Sequence, residues 1–416
     1  MSIPNAFDTL TSGLSSICRL PKGTTVLRSE SSDITLLRLY DIENSVECRP
    51  VRERITELDL DVGLVVPSAV GGSSFRDGTI PSGVVPSLVV AEGGNGEETT
   101  LFGTEEIISF FDARFPVPKR DDDDDVFSSK ILPPLLSAGN AIASALRFGR
   151  GRDVSPSSVE APRPKNPLVL YSYEGNQFCR LVREVLTELD LPYRLVSSGK
   201  GSRKRADLAA RTGGSSQCPY LVDEDNGIEM AESADIVRYL YKTYGRYVPP
   251  NKLLGVISRF IMVPLGGPIF RATAPLQAGK SLWGESEDPS IYEADVAKAK
   301  EEILRETSAD DIVIYTYKLS PFSSEATELL RNLEVPFKEI SFGNEWIPGL
   351  LADGCAAKRA ALLEMTGMSS LPHIFIRGKS IGGIYSGSPG LLKAVEKGTF
   401  MDMVAEFKNT KDEVTV

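Results

Sequence analysis

One thirteen-residue phrase occurs twice in this chain, and it constrains the fold more than any other feature. It reads Cys-Arg-x-Val-Arg-Glu-x-(Ile/Leu)-Thr-Glu-Leu-Asp-Leu at residues 48–60 and again at residues 179–191, without insertion. A third, more diverged copy aligns residues 314–337 with residues 170–193, also without a gap. A unit of this length is a repeated small domain and not a solenoid turn. We therefore predict three tandem domains, called copies 1, 2 and 3.

Composition and charge limit the class of protein. The chain has 416 residues, of which 41% are hydrophobic and 25% charged, as in soluble globular proteins. Its net charge of -11 disfavours a nucleic-acid partner, because phosphate binding needs a concentrated basic face. The five cysteines form no closely spaced pair, and His373 is the only histidine, so the sequence predicts neither a disulfide framework nor a metal site.

No targeting or membrane-spanning segment is evident in the sequence. The N-terminus lacks the basic start and apolar core of a secretory signal. No apolar run reaches the roughly 18 residues that span a bilayer. The nearest candidate, residues 253–276, is interrupted by Arg259, Pro264 and Arg271. We expect it to pack against a neighbouring domain, with a peripheral membrane surface as the alternative.

Copy 2 has the clearest pattern of secondary structure. Its apolar runs, helical spacings and turn residues predict the order βαβ-α-ββα, in which the first βαβ is a right-handed crossover. Apolar residues of the repeated phrase fall on the core face of the first helix, and its charged residues are expected on the helix surface. The same order recurs at residues 36–115 and 312–398. For copy 2 the predicted strands are 168–171, 193–196, 219–222 and 228–231, and the predicted helices are 178–189, 206–211 and 233–244.

The predicted organisation is an α/β protein with three such domains joined by linkers and short upstream helices. Residues 15–20 and 143–148 resemble each other and precede copies 1 and 2. We expect each upstream helix to pack against its own domain, with partner or lipid contact as the alternative. The predicted segments are 1–32 (helical extension), 33–118 (copy 1), 119–166 (acidic and Pro/Ser-rich linker), 167–248 (copy 2), 249–309 (linker and helix), 310–404 (copy 3) and 405–416 (tail).

These features together resemble the thioredoxin fold in its glutathione-binding branch. Copies 1 and 2 resemble glutathione S-transferase N-terminal domains, most clearly through Cys-Pro-Tyr-Leu-Val-Asp at 218–223 and Met-Ala-Glu-Ser-Ala-Asp-Ile at 230–236. Copy 3 resembles a glutaredoxin through Ser-Leu-Pro-His-Ile-Phe-Ile-Arg-Gly-Lys-Ser-Ile-Gly-Gly at 370–383. The tandem arrangement also resembles a plastid-located group of plants and algae, which implies a plastid location, with the cytoplasm as the alternative.

The resemblance implies a redox site from which the nucleophile is missing. In dithiol members a Cys-x-x-Cys pair stands at the start of the first helix, where the helix N-terminus lowers the thiol pKa. Here the nucleophile position holds Ser45, Asn176 and Ser320, and Cys48 and Cys179 occupy the second position. A second-position cysteine alone cannot run a dithiol cycle. We therefore predict no dithiol activity, and we retain two candidates for other chemistry, a serine hydroxyl at Ser45 or Ser320 and the thiol of Cys179.

The resemblance also assigns glutathione, or a similar small thiol, as ligand. The candidate glutathione-binding residues are Pro219, Glu232, Ser233, Leu371, Pro372, Gly382 and Gly383. Ser233 has two open interpretations, because a serine there either binds the γ-glutamyl carboxylate or simply caps a helix. Cys218 precedes Pro219 and is expected near Cys179, which makes the two a candidate redox pair. His373 suggests a Ser320/His373 dyad, although the residue after the proline is expected to point away.

The function predicted from sequence is that of a non-dithiol thioredoxin-fold protein, either glutathione-binding or a scaffold for assembly. The alternative is a glutathione-dependent transferase or monothiol oxidoreductase using Ser320, Ser45 or Cys179. Only about 65 residues separate copy 2 from the next predicted strand, too few for the helical domain that binds the second substrate of a transferase. A protein partner or a peripheral membrane surface is expected only for the scaffold function.

Overall fold

The computed structural model describes two compact units, residues 1–246 and 247–416. Within them it describes residues 6–19, 22–27, 34–92, 97–116, 132–158, 161–250, 289–318, 320–343 and 356–412. Residues 253–276, the predicted peripheral segment, lie outside this set. Among the helices of the described ranges, none is long and apolar enough to cross a membrane. The predicted domain boundaries stay predictions.

The first unit contains copies 1 and 2, each preceded by a helix. Copy 1 and its upstream helix comprise α1 (Ala6–Ile17), β1 (Ile34–Asp41), α2 (Cys48–Glu57), β2 (Val62–Pro67), α3 (Ser73–Arg76), β3 (Ser87–Glu92), β4 (Glu97–Phe102) and α4 (Gly103–Arg114). Copy 2 and its upstream helix comprise α5 (Leu132–Ala145), β5 (Leu168–Ser172), α6 (Gln177–Glu188), β6 (Tyr193–Ser197), α7 (Lys204–Thr212), β7 (Tyr220–Asp223), β8 (Ile228–Ala231) and α8 (Ser233–Tyr244).

The two copies share one eight-stranded sheet. Its strand order is β4-β3-β1-β2-β6-β5-β7-β8, so that each copy contributes four strands in the same internal order. The copies join where β2 pairs antiparallel with β6, with Val62 opposite Leu195 and Val65 opposite Tyr193. The equivalent strands β2 and β6 therefore pair with each other in antiparallel orientation, which relates the two copies by a pseudo-two-fold axis.

The end of the repeated phrase is explained by the end of its helix. Asp59 and Asp190 follow α2 and α6 with φ of 56° in both cases, a left-handed conformation that aspartate tolerates better than most residues. Glu334 holds the matching position in copy 3 with φ of 57°. Leu60 and Leu191 then return to the core, where both are buried. The shared Leu-Asp-Leu is thus a helix stop that turns the chain toward the next strand.

The upstream helices pack on the opposite copy. In α1, Ser12 donates its hydroxyl to the carbonyl of Gln177 (2.7 Å), and Arg180 donates to the carbonyl of Ser12 (2.9 Å). In α5, the side-chain oxygen of Asn140 accepts from Arg49 of copy 1 (2.7 Å). The expectation that each helix packs on its own domain was therefore wrong for α1 and α5, although Arg19 and Arg147, which follow them, pair with Glu53 and Glu184 of their own copies. The physical reason is that buried Arg180 and Arg49 need acceptors, and the helix of the other copy supplies them.

The loops after these helices complete the exchange between the copies. The N–H of Gly175 in copy 2 donates to the carbonyl of Gly23 (2.7 Å), and the N–H of Asn44 in copy 1 donates to that of Gly151 (3.0 Å). Gly23 and Gly151 hold equivalent places after α1 and α5, so the two bonds are related by the pseudo-two-fold axis. The same contacts thus form twice, once in each direction.

The charged residues of the repeated phrase are buried where the copies meet, and not on the surface as expected. Arg52 bonds Asp41 (2.6 Å) and Glu174 (2.9 Å), and Arg183 bonds Glu43 (2.9 Å) and Glu174 (2.7 Å). Seven buried arginines match seven buried carboxylates in this region, so their formal charges cancel. They are Arg19, Arg49, Arg52, Arg147, Arg150, Arg180, Arg183, Asp41, Glu43, Glu53, Glu57, Glu174, Glu184 and Glu188.

Burial and ion pairing oppose each other in this charged cluster. Burial disfavours the ionised form of Glu174, yet Arg183 and Arg52 hold its pKa at about 2. Buried ion pairs add little net stability compared with apolar packing, but they strongly penalise any arrangement that leaves one charge unpaired. We infer that the cluster fixes the register in which the two copies join.

The second unit contains copy 3. Its four-stranded sheet has the order β10-β9-β11-β12, equivalent to the order within each half of the larger sheet. Separate apolar clusters pack on its two faces, one including Ile314 and Leu329 and the other including Tyr315 and Phe375. The elements are α9 (Pro289–Ala309), β9 (Ile312–Thr316), α10 (Pro321–Asn332), β10 (Lys338–Ser341), α11 (Ala356–Thr366), β11 (His373–Ile376), β12 (Lys379–Gly382), α12 (Leu391–Glu396) and α13 (Thr399–Asp412).

Candidate functional site

In all three copies the side chain at the nucleophile position accepts backbone N–H groups at the start of the first helix, and in copies 2 and 3 it is the N-cap residue. The hydroxyl of Ser45 accepts from the N–H groups of Glu47 (3.1 Å) and Cys48 (3.2 Å). The side-chain oxygen of Asn176 accepts from those of Phe178 (2.7 Å) and Cys179 (3.3 Å). Serine and asparagine are among the best acceptors for the unpaired N–H groups of a helix start. The different residues at this position thus share one structural role.

Ser320 caps the first helix of copy 3 in the same way. Its hydroxyl accepts from the N–H of Ser323 (3.3 Å), and Pro321 fills the first helical position, where its missing N–H costs nothing. Ser320 is also buried. A hydroxyl that accepts a backbone N–H still has its own hydrogen to donate, so burial, and not this bond, limits the access of a ligand thiolate to Ser320.

The cysteines of the repeated phrase are buried and unsuited to nucleophilic attack. Cys48 and Cys179 have no exposed surface. Burial raises the pKa of the Cys48 thiol to about 12, and burial also raises the pKa of Cys179. Because the thiolate is the reactive form, both side chains act as small core residues at neutral pH.

Copy 2 brings together most of its predicted site residues. The Cys218–Pro219 peptide bond is cis, and the carbonyl of Cys218 accepts from the side-chain amide of Asn176 (3.3 Å). Gln217, just before, donates its amide to the carboxylate of Glu232 (3.4 Å). The start of α6, the cis-proline loop and the start of α8 are therefore connected side by side. Asn176 and Gln217 provide these links, and sequence reasoning had given neither a binding role.

Glu232 has an unusual backbone conformation at the start of α8. Its φ of 68° and ψ of 112° lie outside the regions that a residue with a side chain normally occupies. Such outliers cluster at ligand sites and active sites, because the surrounding structure must hold them in place. The residue before the helix is therefore Glu232, and its side chain makes no capping bond.

Ser233 does not act as the N-cap that one interpretation required. It is the first residue of α8 and is buried, one position inside the helix. Its N–H belongs to the first turn, where backbone donors have no partner within the helix. A carboxylate at this helix start is attracted both by those donors and by the helix dipole.

Cys179 and Cys218 lie in one buried cluster with Tyr173 and Tyr220. Both cysteines are free thiols. Burial raises the pKa of Cys218 to about 12, with a smaller contribution from neighbouring Cys179. The predicted proximity of the two cysteines is thus present, but both are held as protonated thiols.

In copy 3 the predicted site residues are close together but already bonded. The Leu371–Pro372 peptide bond is cis, and a Cβ atom on Gly383 would lie 3.1 Å from the carbonyl oxygen of Pro372. The N–H of Gly383, which the resemblance assigns to the carboxylate, donates instead to the carbonyl of Ser386 (2.7 Å). Gly382 has φ of 95°, and a Cβ atom there would collide with Gly387. The turn at residues 383–387 thus fills the place that the resemblance assigns to the ligand carboxylate.

His373 points to Ser380 and not to Ser320. Its Nε2 lies 2.7 Å from the hydroxyl of Ser380, and its ring stacks on Phe375 with 5.0 Å between centroids. Burial lowers the pKa of His373 to about 4. The contacts of the imidazole therefore do not support a Ser320/His373 dyad, in agreement with the expected direction of the side chain.

In copy 1 the residue that corresponds to Ser233 already makes a hydrogen bond within the protein. Thr104 stands there, and its hydroxyl donates to the carbonyl of Glu47 (2.7 Å). A groove of about 980 Å³ runs along α2 and α4 beside this contact, with lining residues of both charge signs that include Arg54 and Glu105. Across the described part of the chain, no group of three or more His, Cys, Asp or Glu side chains is arranged to hold a metal ion. Of the three copies, copy 2 thus matches the predicted ligand-binding arrangement best.

Comparison with protein families supports this description. The family model described as the glutathione S-transferase N-terminal domain matches residues 170–250. The family model described as glutaredoxin matches residues 312–381. These ranges fall in copies 2 and 3 and confirm the resemblance of these copies to glutathione S-transferase N-terminal and glutaredoxin domains. The resemblance to a plastid-located group and the plastid location stay predictions.

Individual relatives match the C-terminal part of the chain. Glutaredoxin-C6 of Oryza sativa subsp. japonica is 34% identical over 88 residues, which are 21% of this chain and 69% of that protein. Glutaredoxin 3 of Escherichia coli (strain K12) is 33% identical over 73 residues, or 18% of this chain and 76% of that protein. Among solved structures, a buckwheat glutaredoxin–glutathione complex is 24% identical, with a TM-score of 0.23, over 27% of this chain and 94% of that one.

Proposed function

The chain belongs to the glutaredoxin family through copy 3 and carries a glutathione S-transferase N-terminal domain in copy 2, and on this basis we propose that it binds glutathione in copy 2 without dithiol chemistry. The observation that carries the proposal is that copy 2 holds three predicted elements side by side, namely the loop at Pro219, Glu232 with its φ of 68°, and the α8 start at Ser233. These are the groups that bind the peptide and the carboxylate of the ligand.

The proposed binding mode uses backbone groups at both ends of the ligand. The γ-glutamyl carboxylate lies at the start of α8, where the Ser233 hydroxyl and the unpaired N–H groups of the first turn donate to it. The peptide part of glutathione lies beside the main chain at Pro219. The Asn176 amide, which already donates to the Cys218 carbonyl, stands where a redox enzyme has its thiolate.

Two observations count against dithiol catalysis. The side chain at the nucleophile position accepts helix N–H groups in every copy, and Cys48, Cys179 and Cys218 are buried with raised pKa values. A dithiol cycle needs an accessible thiolate, which a buried thiol with a pKa near 12 does not provide at neutral pH. The alternative enzyme would use Ser320 or Ser45 as its catalytic hydroxyl, and Ser320 is buried.

The proposal is tested by a matched pair of hydroxyl deletions in the full-length chain. Ser233→Ala removes one donor to the ligand carboxylate, and hydrogen bonds to charged groups contribute about 1.5–3 kcal/mol. We expect glutathione affinity, measured by calorimetry, to fall at least tenfold. The control is Thr104→Ala, at the equivalent helix start in copy 1, where the hydroxyl is bonded to Glu47.

The control variant is expected to bind glutathione as the wild type does. Equal weakening by both substitutions would assign the effect to general destabilisation, and equal affinity of wild type and Ser233→Ala would place the ligand elsewhere. Thermal midpoints of the free proteins show whether either variant has lost its fold.

A further inference from the structure

Helices α1 and α5 have their polar faces turned inward. In α1, Thr11, Ser12 and Ser15 are buried, whereas Leu10 is 60% and Leu14 is 42% exposed. An ordinary surface helix has the opposite distribution, with apolar residues facing the core. The cause is the exchange between the copies, because the inner face of α1 must bond the buried Arg180 and Gln177 of copy 2.

Helix α5 similarly buries small or polar residues and exposes an apolar one. Gly139, Asn140 and Ala143 are buried, whereas Ile142 is 52% exposed. Asn140 on the inner face accepts from Arg49 of copy 1. Two equivalent helices therefore expose branched apolar side chains to solvent, which marks an interaction surface when the exposed residues are contiguous.

The two helices contact each other at equivalent residues, which places this contact at the pseudo-two-fold axis. Ser15 donates its hydroxyl to the carbonyl of Ala143, and these residues hold equivalent positions in α1 and α5. The helices approach closely at Gly139, where a Cβ atom would lie 2.7 Å from the carbonyl oxygen of Cys18. Leu14 and Ile142 directly precede the crossing residues and are therefore related by the axis. We name Leu10, Leu14 and Ile142 the outer patch.

We propose that the outer patch is a self-association surface, on which a second copy of this chain docks about a two-fold axis. The patch is the outward continuation of the α1–α5 contact, which already belongs to the interface between copies 1 and 2. It also has two-fold symmetry of its own, through Leu14 and Ile142. A surface with this symmetry fits an identical surface in a closed, isologous pair.

The charge distribution favours a second copy over a lipid surface. Helix α5 contains no charged residue, and Asp8 is the single charged residue of α1. Interfacial helices that bind membranes place Lys or Arg beside their apolar face. The first cations that follow these helices, Arg19 and Arg147, are buried in ion pairs with Glu53 and Glu184. The chain has a net charge of -11, so two copies repel each other over most of their surface. They can meet at the outer patch because α1 and α5 carry almost no charge.

The test is sedimentation velocity of the full-length chain over a wide concentration range. We expect a reversible monomer–dimer equilibrium, and the double variant Leu14→Gln/Ile142→Gln is expected to raise the dimer dissociation constant at least tenfold. The matched control is Leu304→Gln in α9, which changes an equally exposed leucine (54%) outside the patch and is expected to leave dimerisation unchanged. Since the changed side chains are exposed, all variants are expected to keep the thermal midpoint of the wild type.

Three results would overturn the proposal. The first is a wild type that stays monomeric at every concentration, and the second is a double variant that dimerises as strongly as the wild type. The third is a monomeric wild type that floats with phosphatidylcholine or phosphatidylglycerol vesicles while the double variant does not, which would assign the outer patch to lipid.

Discussion

Arg52 of copy 1 and Glu174 of copy 2 form an ion pair across the boundary between the repeats, with 2.9 Å between Nε and Oε2 and both side chains buried. Equivalent residues, Arg183 and Glu43, form the reciprocal pair at 2.9 Å. The second arginine of each repeated phrase thus binds a glutamate of the other copy. The same charged residues are present in both copies, and for Arg52 and Arg183 a carboxylate partner lies in the opposite copy.

We predict that Arg52→Ala strongly destabilises the first unit. Removing Arg52 leaves Asp41 buried without its cation and takes one of the cations from Glu174, and breaking a buried pair in this way costs about 3–5 kcal/mol. The control is Arg38→Ala, because Arg38 pairs with Glu98 at 2.6 Å at an exposed position, where a pair contributes about 0–1 kcal/mol. Urea unfolding of both variants measures the two free energies, and similar losses would contradict the assigned role of the cluster.

The sequence predicted the elements of copy 2 closely. The strand 228–231 and the helix 233–244 have the predicted bounds, and the helix predicted at 206–211 runs from Lys204 to Thr212. Local periodicity and turn residues decide such elements. The joined sheet and the burial of Arg52 and Arg183 were missed, because charged residues are normally exposed and local sequence carries no record of a partner far along the chain. The available signal was that identical arginines and glutamates recur in both copies.

The candidate site was predictable in part for the same reason. The cis-proline at Pro219 and the start of α8 follow from motifs that are local in sequence. The bonds from Asn176 to Cys218 and from Gln217 to Glu232 join separate loops, so only the folded chain reveals them.

We predict that thiol labelling distinguishes one cysteine from the buried three. With iodoacetamide at pH 7, Cys18 is expected to react first among the four cysteines that the structure describes, because it is partly exposed. Cys48, Cys179 and Cys218 are expected to stay unmodified until the chain unfolds, since burial raises the pKa of each. Peptide mass spectrometry gives the order of labelling, and rapid modification of Cys179 in the folded protein would restore the monothiol enzyme as a candidate.

We predict that Asn176→Cys introduces disulfide reductase activity. The new thiol at the start of α6 accepts the N–H groups of Phe178 and Cys179, which lowers its pKa, and Cys179 then stands in the resolving position. Asn176→Ser is the control, because it keeps a capping oxygen and adds no thiol. Glutathione-dependent reduction of a small disulfide is the assay. Activity that is absent from both variants, or equal in both, would show that copy 2 is not a redox site lacking only its nucleophile.

We predict that the second unit loses stability on acidification through His373. The histidine titrates near pH 6.5 in the unfolded chain, and burial lowers its pKa to about 4 in the folded protein. Between these values the unfolded chain binds a proton that the folded one does not, so stability falls as pH drops from about 6.5 to 4, by at most about 3 kcal/mol. His373→Gln, which does not titrate, is expected to flatten this dependence.

His373 can be followed directly because it is the only histidine in the chain. Its imidazole therefore gives a single NMR signal, whose titration needs no assignment by mutation. A midpoint near 4 is expected, and a midpoint near 6.5 would contradict the buried contact with Ser380.

The measurement that tests the central claim most directly is calorimetric titration of the full-length protein with reduced glutathione and with S-methylglutathione. The proposed site binds the peptide and the carboxylate, and Asn176 offers no stabilisation specific to a thiolate. We therefore predict one ligand per chain and affinities for the two compounds that agree within a few fold. Absence of heat and of any thermal shift with either compound would contradict glutathione binding, and binding of glutathione alone would point to a thiolate-stabilising transferase site instead.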